Sequence, residues 1–84
     1  MTAADRLKDK IEERGMPMTT VANRSGILRQ TLYNRLNGVG DFTASEIISL
    51  STALRLTQEE RDEIFFADEV EYRFNPKKNA NETN

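Results

Sequence analysis

Apolar residues recur along this chain at three- and four-residue spacing, with polar positions between them and glycines or prolines at the breaks. The clearest instance is the stretch 25–38, SGILRQTLYNRLNG, in which Leu28, Leu32 and Leu36 are four apart. That spacing predicts a helix over about 28–37 with the three leucines on one inward face. Arg29, Gln30, Tyr33, Asn34 and Asn37 then fall largely on the opposite face, which is rich in hydrogen-bonding groups and holds no acid.

Four more helices follow from the same reading. The first spans about Ala3 to Arg14, with Thr2 as N-cap, Asp5 three residues on, Leu7 and Ile11 inward, and Gly15 as the stop. The second starts at 17 or 18 and runs to 25, with Val21 and Ala22 inward and Gly26 at its end. The stretch Phe42-Thr43-Ala44-Ser45-Glu46-Ile47 carries two start signals at once: a Thr43/Glu46 capping box and a Phe42/Ile47 hydrophobic staple. It opens a fourth helix that continues to about 54 and buries Ile47, Leu50 and Leu54. Thr57 and Glu60 form a second capping box, opening a fifth helix with Ile64, Phe65 and Phe66 inward. Residues 68–74 fit a strand by the alternation of Val70, Tyr72 and Phe74, and a helix by the spacing of Phe66, Val70 and Phe74. Residues 75–84, polar and nearly devoid of apolar side chains, read as a disordered tail after a domain covering 1–74.

Composition narrows the function. The chain has 84 residues, enough for one small core, and contains no cysteine and no histidine. Disulfides, thiolate chemistry and zinc–thiolate sites are excluded, and the commonest general base and metal ligand is missing. No catalytic residue, metal, cofactor or small-molecule ligand is expected. No apolar run approaches the roughly 20 residues of a membrane span, and no signal-peptide pattern opens the chain, so a cytoplasmic protein is expected. The net charge is −2, yet residues 1–40 hold seven Lys/Arg against four Asp/Glu, a balance of +3. Residues 41–84 hold five against ten, a balance of −5. Residues 16–40 carry Arg24, Arg29 and Arg35 and no acid. With a Debye length of about 8 Å at physiological salt, a partner senses such a local surface more strongly than the distant total.

The spacing within 18–38 gives the polar helix a purpose. A short helix with small Ala22 inside reaches Gly26 four residues later, and a second short helix follows with Leu32 inside. This is a helix-turn-helix arrangement, whose second helix enters the major groove of DNA. Arginine suits guanine there, while glutamine or asparagine suits adenine. Over roughly residues 4–67 the chain resembles the lambda-repressor-like helix-turn-helix proteins, the Cro and phage-repressor type. The resemblance rests on Val21-Ala22 before Gly26, on GILRQTLYNRLNG and on FTASEIISLSTALRLTQEE. It implies an all-α, compact five-helix domain that binds double-stranded operator DNA as a homodimer on a near-palindromic site. The implied role is transcriptional repression in a prokaryotic or phage-infected cell. By position, Arg29, Gln30 and Asn34 match the family's base-reading places, with Thr31 and Tyr33 beside them. Asn37 and Gly38 match a backbone-contacting loop whose amides near Gly38 would hold phosphates.

Three departures stand out. Met18 replaces a phosphate-gripping glutamine, Leu28 a capping serine or threonine, and Val39 a loop lysine. With the acidic run 59–71, they point to the alternative of a protein-interaction module on the same fold, such as an antirepressor or antitoxin.

Overall fold

Three of the helices start in the same way. In the computed structural model, which describes residues 1–67, Thr2, Thr43 and Thr57 each accept the amide N–H of the residue three positions on. Asp5, Glu46 and Glu60 in turn accept the threonine amide N–H, completing three capping boxes. The elements are α1 (Ala3–Arg14), α2 (Met18–Ser25), α3 (Arg29–Leu36), α4 (Ala44–Ala53) and α5 (Gln58–Phe65), so the described chain is all-α. None of these helices is long and apolar enough to cross a membrane. The sequence readings for 68–74 and 75–84 lie outside the described residues.

Gly26, Ile27 and Leu28 alone separate α2 from α3. Gly26 makes this sharp turn possible: its φ of 71° is left-handed, and its amide donates to the Ala22 carbonyl at 2.9 Å. The exit of α4 lacks a glycine. Arg55 takes the left-handed conformation there instead (φ 53°), and the Leu56 amide closes back on the Ser51 carbonyl at 2.9 Å.

A single buried cluster draws on every helix. It contains Leu7 and Ile11 of α1, Val21 and Ala22 of α2, Leu32 and Leu36 of α3, Leu50 of α4 with the adjoining Leu54, and Ile64 of α5. Full burial of one such leucine or isoleucine contributes about 1.5–3 kcal/mol. Helix α2 packs on α4 and α3, and α1 packs on α5 and α3. At the edge of the cluster Phe42 meets Phe65 edge-to-face, with ring centroids 5.3 Å apart.

Four inward assignments need correction. Leu28 is 76% exposed rather than buried. It is the N-cap residue, with extended backbone (φ −58°, ψ 138°), so helical periodicity does not yet apply to it. Ile47, Phe65 and Phe66 are only half-buried.

Basic residues of α1 fasten the C-terminal half. Arg6 Nε donates to the Ile64 carbonyl at 2.9 Å, and Arg14 Nε donates to the Leu54 carbonyl at 3.3 Å. Glu60 both caps α5 and bridges to α1, meeting Lys10 Nζ at 3.1 Å and Arg14 Nη2 at 3.0 Å. Within the acidic run, Glu60 is thus committed to the fold. The Thr57 amide, then the Lys10 ammonium and the Arg14 guanidinium, hold the Glu60 carboxyl down to about 2.

Two tests follow from this packing. Ala22 is 4% exposed within the cluster, so Ala22→Leu should overpack it and cost about 1–3 kcal/mol. In a domain this small that corresponds to a melting temperature lower by at least about 4 °C, and an unchanged melting temperature would refute the placement. The second test concerns Glu60, a depressed carboxylate. Its stabilisation is present above the unfolded-state value of 4.5 and is lost as pH falls toward about 2. Glu60→Gln should lower the urea midpoint at pH 7, with the gap to the parent closing between those two values. A gap that persists undiminished at pH 2 would contradict the assignment.

Candidate nucleic-acid interface

Helix α3 is held by one face and by one charged side chain. Leu32 and Leu36 enter the core, while Arg35 turns toward α4. Arg35 Nε meets Glu46 Oε1 at 3.0 Å, and Arg35 Nη1 donates to the Val39 carbonyl at 3.2 Å. Glu46 thus caps α4 while anchoring α3. Partial burial acts to raise the Glu46 carboxyl. The bonds from the Thr43 amide and the Arg35 guanidinium outweigh that effect and hold it below the usual carboxylate value.

The remaining face of α3 is open. Arg29, Gln30 and Asn37 are exposed, Tyr33 is 40% exposed, and Thr31 and Asn34 are half-buried. Gln30 Nε2 donates to Asn34 Oδ1 at 3.0 Å, so one turn of helix carries a linked amide pair. The bond uses one of two Gln30 amide hydrogens and one Asn34 acceptor site. The Gln30 carbonyl oxygen and the Asn34 amide nitrogen have no protein partner among the described residues. Exposed Arg29 and Gln30 and half-buried Asn34 therefore share one strip. Leu28 lies at its start and Val39, 58% exposed, beyond its end.

The arginines divide into two groups. Arg35 and Arg14 are paired within the domain, to Glu46 and Glu60. Arg24 and Arg29 are exposed and pair with no carboxylate among the described residues. Sequence spacing could not expose this difference, since the Arg35 partner lies 11 residues away and the Arg14 partner 46.

The end of α3 also differs from the expectation. Asn37 donates its amide to the Tyr33 and Asn34 carbonyls, Gly38 to Arg35 at 3.1 Å, and Val39 to Asn34 at 2.8 Å. These amides close the helix and are not open to a phosphate. The contribution of Gly38 reduces to the left-handed turn that it makes (φ 83°).

Comparison with known proteins finds no matching family model, no matching curated protein and no matching solved structure.

The Arg35 clasp can be tested by two glycines that share a backbone conformation. A Cβ at Gly40 (φ 77°) would stand 2.5 Å from Arg35 Nη1, whereas one at Gly38 (φ 83°) would meet nothing within 4 Å. Alanine at either position carries the left-handed strain, on the order of 1 kcal/mol. Gly40→Ala should be the more destabilising in urea titration, because it also displaces the guanidinium. Equal midpoints would show that Arg35 yields without loss.

Proposed function

We propose that this protein is a sequence-specific DNA-binding transcriptional regulator that places α3 in the major groove, acting as a small repressor. One observation carries the reading: exposed Arg29 and Gln30 share an acid-free face with half-buried Asn34, on a helix that a three-residue turn joins to α2. These residue types match the donor and acceptor pattern of base edges. Arg29 addresses guanine, and the Gln30 and Asn34 amides address adenine. Tyr33, Thr31 and Asn37 border the contact, and Arg24 supplies a phosphate charge.

A single helix of this length reaches few bases, so the protein acts as a homodimer on a near-palindromic operator. A shallow, largely apolar cavity between α4 and α5, lined by Ala44, Ile47, Ile48, Phe66 and the side chain of Arg61, offers a surface for the second copy. Ile48 there is 64% exposed.

A second reading has its own support. Exposed Leu28 and Val39 and the internal pairing of Arg35 suit a protein-binding surface on the same fold. Salt separates the two, because DNA affinity falls as salt rises and protein-only binding leaves DNA unbound.

The decisive measurement is selection of preferred duplexes from a random library, followed by titration of variants. Selected sites should hold two inverted half-sites about 34 Å apart. Gln30→Ala or Asn34→Ala should cost about 1–3 kcal/mol on the preferred site and change which bases are favoured. Arg24→Ala should instead weaken all sequences alike and flatten the salt slope by about one unit. Unaltered preference and affinity in both amide variants would defeat the assignment of this face.

A further inference from the structure

Leu28 is unfavourable to the domain on two counts. Its side chain is 76% exposed, and at the N-cap of α3 it makes no capping hydrogen bond. Its neighbour performs the packing at this corner: Ile27 lies against the core cluster that contains Leu32. Those are the two positions that a hydrophobic staple joins across a helix start. The described fold therefore makes no use of the Leu28 side chain.

Its placement suggests a use outside the fold. Leu28 immediately precedes Arg29 and Gln30, at the end of α3 where a groove-bound helix meets base edges. The apolar feature of the major groove is the C5-methyl of thymine. We propose that Leu28 is a specificity-determining residue that packs on the C5-methyl of a thymine next to the bases read by Arg29 and Gln30. This rests on the DNA-binding reading above. The leucine then compensates in the complex for what it withholds from the free domain: the groove removes its side chain from water, and the thymine methyl is buried with it.

The probe is the duplex that the full chain selects from a random library. Each thymine is replaced in turn by deoxyuridine, which keeps the O4 acceptor and loses only the methyl group. Burial of one methyl corresponds to about a four-fold change in affinity. One thymine per half-site should show a loss of about that size with the parent protein. Leu28→Ala should bind the thymine duplex more weakly and no longer distinguish it from the uracil duplex. Leu28→Ser should lose the same discrimination while melting at a higher temperature, because serine can cap α3. That rise separates loss of a contact from loss of the fold. Discrimination that survives Leu28→Ala, or a selected site with no methyl-dependent thymine, overturns the proposal and leaves DNA binding intact. Failure to select any duplex overturns the DNA-binding reading along with it.

Discussion

Helix α3 cannot hold itself. It has eight residues, no side-chain N-cap and no acid in its first turn, and isolated helices this short are marginal in water even when rich in alanine. Its order comes from outside, through Leu32 and Leu36 in the core and the Arg35–Glu46 pair at its C-terminal half. The rest of the molecule is arranged to provide those anchors. α2 and α1 pack on it, and the capping box of α4 fixes the carboxylate that receives Arg35. Because three positions carry the structural load, Arg29, Gln30 and Tyr33 are left available for an outside partner.

Charge is divided in the same way. Arg6, Lys10, Arg14 and Arg35 each bond to a carbonyl or a carboxylate of another element, so they join helices rather than attract a polyanion. Of the three arginines in 16–40, removing Arg35 leaves two. If both reach phosphates, counterion release gives a salt slope of only about −1.8 per protomer. Non-specific attraction of that size is weak. A regulator built this way would depend more on base contacts and on pairing of two protomers than on phosphate charge.

How much of this was legible in the sequence depended on the range of each interaction. All three Thr-x-x-Asp/Glu boxes, the left-handed glycines after α1 and α2, and the buried Ala22 are local events, written within four residues of one another. Leu28 misled because a four-residue period was carried one position past the start of the helix, where the backbone is still extended. The fate of Arg14 and Arg35 was hidden because a guanidinium looks the same whether its partner is a phosphate or a glutamate from a distant helix. The end of α4 was legible at about 54, but its left-handed exit was not, since Arg55 stands where a glycine would be expected. The exposed face of α3 was readable as a set of residue types. The Gln30–Asn34 bond within it was a matter of rotamers, which spacing permits but does not dictate.

That bond bears on how such a face could discriminate. A long polar side chain that is immobilised on binding gives up about 0.5–1.5 kcal/mol of rotamer freedom. Gln30 and Asn34 restrain each other in the free protein, so part of that ordering precedes any contact. What the pair presents is a linked acceptor and donor rather than two independent amides. A base that offers the complementary pattern satisfies it. A base that does not would have to break the pair or leave a polar group unmatched in a dehydrated interface, which costs more than a missing contact. The penalty for the wrong base can therefore exceed the gain from the right one, and a helix of eight residues could be selective without binding tightly.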